Sequence, residues 1–192
     1  MNLSDKDRGV LFMSARESIR SGLGDVPAPT LDYRYYPELL RPCGAFVTLT
    51  KDGNLRGCIG YITSDEPLFQ TVCEAALLAA TEDPRFIPVQ ENELSDIVIE
   101  ISVLSTPEKL DDYNNIIIGT HGLLLEEADG RGVLLPQVAT EHNMNRTEFL
   151  SAVCTKSGLP SNAWMKRKLN LYTFTADVFS EQQHKDLTRE GL

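Results

Sequence analysis

The sequence has little basic charge and only three histidines. Its 18 lysines and arginines are outnumbered by 28 aspartates and glutamates, which gives a formal net charge of −10. Because nucleic-acid binding relies on lysine and arginine to neutralise phosphates, this balance argues against a nucleic-acid partner. The one basic cluster, Lys166-Arg167-Lys168, is short and is typical of a solvated face or a helix end.

Long apolar runs and paired cysteine motifs are also missing. Nothing approaches the roughly 20 consecutive apolar residues of a membrane span, so no membrane partner is expected. The four cysteines are scattered without C-x-x-C spacing, which argues against a zinc site or a disulfide framework, so no metal is expected. A reducing cytoplasm is the expected location. No phosphate loop or dinucleotide fingerprint is present, and the sequence names no cofactor.

The chain has the length of one substantial domain. At 192 residues with 42% hydrophobic content, it predicts a single domain over 1–192. This domain is expected to contain an N-terminal helix within 1–24, the main sheet and helices within 43–180, and a polar tail over 181–192. Ser4 and Asp7 form a capping box before the first helix. The order of the predicted strands and helices indicates an α+β fold.

A β-hairpin is the strongest local prediction. Residues 44–50 read as a strand, and Asp52-Gly53 favours a two-residue primed turn, so a second strand is expected to return antiparallel from Leu55. With Asp52 and Gly53 as the turn residues, the predicted cross-strand pairs are Leu49–Arg56, Val47–Cys58 and Ala45–Gly60.

The remaining elements follow from periodicity. An apolar stripe predicts a helix that ends near Asp83-Pro84, and alternation over 96–105 predicts a buried strand that carries Glu100. Short strands are predicted over 116–119, 122–127 and 133–136, and Pro136 either closes the last one or places it at an edge of the sheet. A helix is predicted over 140–157 and a final strand over 171–178.

Cys58 is the candidate nucleophile of the hairpin. Strand alternation places it on one face with Arg56 and Gly60, and a cation at that range favours the thiolate. The predicted neighbours on the facing strand are apolar and disfavour it by desolvation. The two effects oppose each other, and the sequence leaves both open.

A thiol nucleophile also needs a base, for which two residues are candidates. His121 lies between Thr120 and Gly122, and it is either this base or a turn residue bonded to local backbone. Glu100 is either a general base or half of a buried ion pair with Arg56 or Arg85. His142 and His184 are expected to be solvated.

Five further residues are candidate ligand contacts. Gly57 and Gly60 leave space beside the thiol, and Arg85 and Gln137 are expected to orient an anionic or amide-containing substrate. Asp83 is a candidate ligand contact or, alternatively, caps or forms a salt bridge locally while Arg85 reaches the groove. Polar groups that converge in a concave place are typical of a small-ligand site.

The hexapeptide Leu55-Arg56-Gly57-Cys58-Ile59-Gly60 resembles the signature of the AMMECR domain family, and the resemblance spans essentially the whole chain. One departure is Met144, where the family generally has an aromatic residue. The further landmarks, in order, are Asp83-Pro84-Arg85-Phe86 with Pro88, Glu93-Leu94, the strand over 99–104, Gly119-x-His121-Gly122, Leu134-Leu135-Pro136-Gln137-Val138, Phe149-Leu150, Cys154-x-Lys156-x-Gly158-Leu159, Trp164 and Tyr172-x-Phe174.

The resemblance implies two unequal lobes around a largely antiparallel sheet flanked by helices, with the hexapeptide beside a groove. It implies a basic cellular or regulatory role without a defined reaction, and prokaryotic relatives look like partners of Memo-like and radical-SAM modules. Two hypotheses follow. The protein is an enzyme or small-ligand-binding protein that uses Cys58 and Arg56, or it is a non-catalytic adaptor that binds a protein partner in the groove.

Overall fold

A computed structural model describes residues 3–24 and 26–183 of the chain. They divide into two compact units, the first formed by Met1–Leu104 with Asp177–Leu192 and the second by Ser105–Ala176. Two four-stranded antiparallel sheets are present, which confirms the α+β class and replaces the single sheet that was expected. Of the predicted polar tail, Glu181 is buried and forms an ion pair with Arg16 at 2.6 Å, whereas His184 and the residues after it lie outside the described residues.

Eight strands and five α-helices are found in the described part of the chain. In order they are α1 (Asp5–Leu23), β1 (Ala45–Lys51), β2 (Asn54–Tyr61), α2 (Leu68–Thr81), β3 (Ile97–Leu104), β4 (Glu108–Lys109), β5 (Gly122–Glu127), β6 (Gly130–Leu134), α3 (Pro136–Glu141), α4 (Arg146–Lys156), α5 (Ala163–Lys166), β7 (Leu171–Phe174) and β8 (Ala176–Ser180). The first sheet has the order β2-β1-β3-β8, and the second has the order β4-β7-β5-β6.

In the first unit, α1 and α2 share one buried core with the first sheet. The predicted capping box is present at the start of α1, where the Ser4 hydroxyl accepts from the Asp7 backbone N–H. Apolar residues at helical spacing in α2 and alternate residues of β1 are fully buried together. The sheet therefore has one face on the helices, which we call the helix face, and an opposite face that carries the other half of each strand. Residues of β1 on the helix face are Ala45, Val47 and Leu49.

The hairpin between β1 and β2 is confirmed, but its predicted register is wrong by one residue. Asp52 and Gly53 both have positive φ, 53° and 76°, as a primed turn requires. The pairing then shifts between Leu49 and Thr50, because Arg56 is an extra residue in β2. Such a bulge places two residues of one strand opposite one of its partner. The observed pairs are Leu49–Gly57, Val47–Ile59 and Thr48–Cys58.

This shift moves Cys58 to the opposite face of the sheet. A slip of one residue exchanges the two faces of a strand, so the predicted apolar partner Val47 is replaced by Thr48. Gly57 and Ile59 now occupy the helix face, and Ile59 packs against the core shared with α1 and α2. The prediction that Cys58 has an apolar cross-strand partner is therefore wrong.

The second unit differs from its prediction at several places. Residues 116–119 form no strand, since a short 3-10 helix at Tyr113–Asn115 leads into a turn in which Gly119 has a φ of 80°. The predicted helix over 140–157 is two helices, because Asn143 has a φ of 51° and Asn145 caps α4 with its side chain. Met144, between them, packs against the core of this unit.

Pro136 begins α3, just after the end of β6, which is an edge strand of the second sheet. Proline suits the first helical position because its missing N–H has no intrahelical acceptor there. No α-helix among residues 3–24 and 26–183 combines the length and hydropathy that a membrane crossing requires.

Gly57 gives a direct test of the packing between β2 and α2. A Cβ at this position would collide with the backbone carbonyl of Ala79, which cannot move without shifting the helix. We expect Gly57→Ala to lower the free energy of unfolding by about 2 to 3 kcal/mol, as measured by urea denaturation.

The matched control is Gly24→Ala, because the nearest atom to a Cβ there is the Arg20 carbonyl oxygen at 3.9 Å. Its unfolding free energy should change by less than about 0.5 kcal/mol. Equal stability of the two variants would contradict the packing described for β2.

Candidate functional site

Cys58 is half-buried and has a hydroxyl as its cross-strand neighbour. The Thr48 Oγ1 donates to the Cys58 Sγ at 3.4 Å, across the pair that the bulge creates. Burial raises the pKa of the thiol at Cys43, Cys73 and Cys154, and raises that of Cys73 to about 12. All four cysteines are free thiols.

The peptide of Cys58 is bound from the open edge of the sheet. Because β2 is an edge strand, its outward N–H and C=O groups have no neighbouring strand to pair with. The Cys58 N–H donates to Asp83 Oδ2 at 2.9 Å, and the Cys58 carbonyl accepts from Arg85 Nη2 at 3.3 Å. Asp83 and Arg85 thus take the place of a strand at the thiol residue.

Asp83 is the buried anchor of this arrangement. Its side chain is only 3% exposed and accepts two hydrogen bonds from the guanidinium of Arg85, the shorter one at 2.6 Å. Arg85, followed by the backbone N–H groups of Cys58 and Arg85, holds the pKa of the Asp83 carboxyl well below its ordinary value against the opposing effect of burial. The local pairing of Asp83 with Arg85 is therefore present.

Arg85 is the arginine that lies beside the thiol. Its side chain is 53% exposed, and its pKa is raised mainly by Asp83, with a further contribution from the Cys58 side chain. Nε and Nη2 are used by Asp83 and the Cys58 carbonyl. Within the described residues, no protein group accepts a hydrogen bond from Nη1.

Arg56 is directed into the segment between α2 and β3. It forms two hydrogen bonds with Glu93, at 3.2 and 2.9 Å, and donates to the carbonyls of Ile87 and Pro88. The side chains of Arg56 and Glu93 are 13% and 16% exposed, and Lys51 joins the same carboxylate at 3.2 Å. The sequence led us to expect Glu100 as the partner of Arg56 or Arg85, but their ion pairs are with Glu93 and Asp83.

Glu100 lies on the same face of the first sheet as the Cys58 thiol. It pairs with Thr48 on the other side of β1, so Cys58, Thr48 and Glu100 follow one another across three strands on the opposite face. Since neighbouring strands are about 5 Å apart, the backbones of Cys58 and Glu100 are about 10 Å apart. Thr48 is thus the immediate polar neighbour of the sulfur on this face.

His121 and Gln137 belong to the second unit. His121 Nδ1 accepts from the Ile117 N–H at 3.3 Å, which is the local backbone bonding expected of a turn histidine. Gln137 lies in the first turn of α3, and its Oε1 is buried without a hydrogen-bond partner in the described residues. A general-base role for His121 and a ligand role for Gln137 stay predictions.

The two glycines beside Cys58 do not leave open space. Gly57 lies against the Ala79 carbonyl, and Gly60 lies against Ala45 and Phe46 of β1. Both glycines therefore permit close backbone packing, which is a structural reason for their presence in the hexapeptide.

A hollow of about 130 Å³ occurs elsewhere in the first unit, at the end of α1. None of the residues predicted for the site lines it, and none of its lining residues is a cysteine. It is lined by Arg20, Leu23, Gly24, Val26, Glu91 and Leu94. In the described part of the chain, no group of three His, Cys, Asp or Glu side chains is placed to hold a metal ion.

Two residues of the site were missed at the level of sequence. Thr48 was assigned to the hairpin without a role, because the predicted register turned it away from Cys58. Glu93 was noted only as a family landmark, since its partner Arg56 lies 37 positions earlier in the chain. The alternating polar positions of β1 were the available signal for Thr48, but the bulge hid their relation to the thiol.

Replacement of Glu93 tests the anchoring of this segment. Arg56, then the Gln90 N–H and Lys51, lower the pKa of Glu93 from 4.5 to about 2. A lowered carboxyl pKa stabilises the folded state above the unfolded value of 4.5, and this stabilisation disappears as the pH falls toward 2. We expect Glu93→Gln to lower the unfolding free energy by about 2 kcal/mol at neutral pH.

In urea denaturation at a series of pH values, the gap between wild type and Glu93→Gln should narrow as the pH falls below 4.5. Glu91→Gln, a neighbouring exposed position, is the control and should match wild type. A gap that stays constant between pH 7 and pH 3 would show that the Glu93 charge does not stabilise this segment.

Comparison with known proteins agrees with the motifs of the site. The AMMECR1 family model matches residues 12–179. A protein of Methanothermobacter thermautotrophicus is 49% identical over 144 residues, which cover 72% of this chain and 75% of that protein. A protein of Methanosarcina barkeri is 39% identical over 189 residues, with 94% and 93% covered.

A solved structure has the same architecture. The crystal structure of an uncharacterised protein from Pyrococcus horikoshii superposes with a TM-score of 0.82 at 36% identity, and 90% of each chain is covered. With a family model that spans most of its length and relatives of this similarity, the chain belongs to the AMMECR1 family.

Proposed function

We propose that this protein carries a reactive thiol site with Cys58 as the nucleophile. The single observation that supports the proposal is the hydrogen bond from Thr48 Oγ1 to the Cys58 Sγ, in a residue whose carbonyl also accepts from the guanidinium of Arg85. A hydrogen-bond donor and a cation both favour the thiolate, which is the nucleophilic form of cysteine.

Roles within the site follow from the contacts. Cys58 attacks the substrate, Thr48 stabilises the sulfur, and Arg85 supplies positive charge and an Nη1, unused by any described residue, for an anionic or polar substrate group. Asp83 positions both the Cys58 peptide and Arg85. Arg56 is a positioning residue, because its hydrogen bonds hold the segment that follows Arg85.

A second candidate function is that of a non-catalytic adaptor. It is supported by Ile87, whose side chain is 75% exposed while its carbonyl is held by Arg56 at 2.9 Å. A rigidly presented apolar side chain suits a protein partner, of which the Memo-like and radical-SAM modules implied by the family resemblance are candidates. An adaptor has no need of a reactive thiol, so the rate of Cys58 alkylation separates the two functions.

Alkylation of Cys58 should depend on the Thr48 hydroxyl. We expect Thr48→Val to slow the reaction of Cys58 with iodoacetamide about fivefold, because one hydrogen bond to the sulfur is lost while the side-chain shape is kept. Thr48→Ser keeps the hydroxyl and should react at close to the wild-type rate. The rate is followed at neutral pH by mass spectrometry of the peptide that contains Cys58.

Cys43→Ser is the control for labelling at another cysteine, and it should leave the Cys58 rate unchanged. The proposal is wrong if wild-type Cys58 reacts no faster than the cysteine of an unstructured peptide in the same buffer. It is also wrong in its assignment of Thr48 if the valine and serine variants react equally fast.

A further inference from the structure

The groups around the Cys58 sulfur favour one class of substrate. Thiol nucleophiles that cleave amides or esters depend on a general acid that protonates the leaving group, usually a histidine held at the sulfur. Here the hydrogen bond to the sulfur comes from a hydroxyl, and the adjacent charge is the guanidinium of Arg85, whose Nη2 donates to the Cys58 carbonyl at 3.3 Å. A guanidinium cannot act as a general base, since it stays protonated in proteins.

The same two groups are well matched to an oxygen–oxygen bond. The Thr48 hydroxyl can donate and accept, so it suits the hydrogen-bearing oxygen of a hydroperoxide. The Nη1 of Arg85 offers two N–H donors that no protein group in the described residues accepts. Donors of this kind stabilise the negative charge that develops on the oxygen that departs.

We infer that Cys58 reduces hydroperoxides, with Thr48 and Arg85 binding the two peroxide oxygens. This inference rests on the proposed thiol site and adds to it the substrate class. The pairing of Thr48 in β1 with Cys58 in β2 places the Thr48 hydroxyl at the sulfur. The Asp83 carboxylate holds Arg85 at the open edge of β2. The two donors therefore approach the sulfur from different elements of the first unit.

The reaction is a two-electron oxidation of the thiol. The Cys58 thiolate attacks the terminal oxygen, so that a sulfur–oxygen bond forms while the oxygen–oxygen bond breaks. Sulfur is oxidised to a sulfenic acid, and the peroxide is reduced to water or an alcohol. The hydroxide or alkoxide that leaves takes up a proton, so that the sum is thiol plus hydroperoxide giving sulfenic acid plus water or alcohol.

Regeneration of the thiol requires an external reductant. Cys43 lies five residues before Thr48, which corresponds to about 16 Å of extended chain. Cys73, in α2, packs against the core of the first unit. Cys154 is buried in the core of the second unit. A low-molecular-weight thiol is therefore the expected co-reactant: one molecule condenses with the sulfenic acid and releases water, and a second reduces the mixed disulfide.

The experiment compares peroxide with iodoacetamide on the same thiol. Rates of Cys58 modification are measured for hydrogen peroxide, tert-butyl hydroperoxide and iodoacetamide, with dimedone trapping the sulfenic acid for mass spectrometry. Both reagents react with the thiolate, so the ratio of the peroxide rate to the iodoacetamide rate does not depend on the fraction of Cys58 that is ionised. We expect this ratio to exceed that of free cysteine by about tenfold, and Arg85→Gln to reduce it by a similar factor.

Arg85→Lys keeps the charge beside Asp83 and should retain part of the ratio, whereas Cys58→Ser should form no dimedone adduct at this peptide. If Arg85→Gln does not fold, Thr48→Val is used, and its ratio should also fall toward that of free cysteine. Faster reaction with hydrogen peroxide than with tert-butyl hydroperoxide would identify hydrogen peroxide as the preferred substrate. The reverse order would identify organic hydroperoxides as the preferred substrates.

Failure of this inference and of the proposed function can be told apart. Rapid alkylation by iodoacetamide with a ratio equal to that of free cysteine overturns the hydroperoxide assignment but leaves the thiol site in place. Slow reaction with every reagent overturns both. A ratio above that of free cysteine that is unchanged in Arg85→Gln and Thr48→Val overturns the roles given to these residues.

Discussion

The extra residue at Arg56 in β2 determines what surrounds Cys58. Without this bulge, the register that follows from the Asp52-Gly53 turn would pair Cys58 with Val47 and bury the thiol between the sheet and the helices. With it, Cys58 pairs with Thr48 on the other face. One added backbone residue thus exchanges an apolar cross-strand neighbour of the sulfur for a hydroxyl.

The same residue connects the hairpin to the segment that completes the site. The Arg56 side chain leaves β2 at the bulge and bonds Glu93 and two backbone carbonyls of the segment after α2. This segment begins with Asp83 and Arg85, which bind the peptide of Cys58 from the open edge. The signature hexapeptide therefore has a structural role: Arg56 anchors the segment, and Gly57 and Gly60 allow close packing around Cys58.

How much of this could be predicted from sequence depends on the range of the interaction. The Asp-Gly turn, the capping box of α1 and the strand over β3 were predictable, because each is set by residues close in the chain. The bulge was not, because alternation continues on either side of it and only the pairing with β1 reveals the extra residue. The break between α3 and α4 was missed for a similar reason, since Asn143 and Asn145 act through backbone conformation and capping rather than hydrophobic period.

The candidate site was predicted in part. Cys58, Asp83 and Arg85 were singled out, and the structure brings these three together. Thr48 was missed because of the register, and Arg56 was given the role of thiol activator, for which Arg85 is better placed. His121 and Gln137 were chosen for their side-chain chemistry, and their assignment to the site stays a prediction.

The central claim is that the environment of Cys58 sets it apart from the other three thiols. It is tested most directly by treating the native protein with less than one equivalent of iodoacetamide at neutral pH and mapping the label by peptide mass spectrometry. The account predicts that the label is found at Cys58, because burial raises the pKa of Cys43, Cys73 and Cys154. Label found mainly at Cys43, or spread over several cysteines, would contradict it.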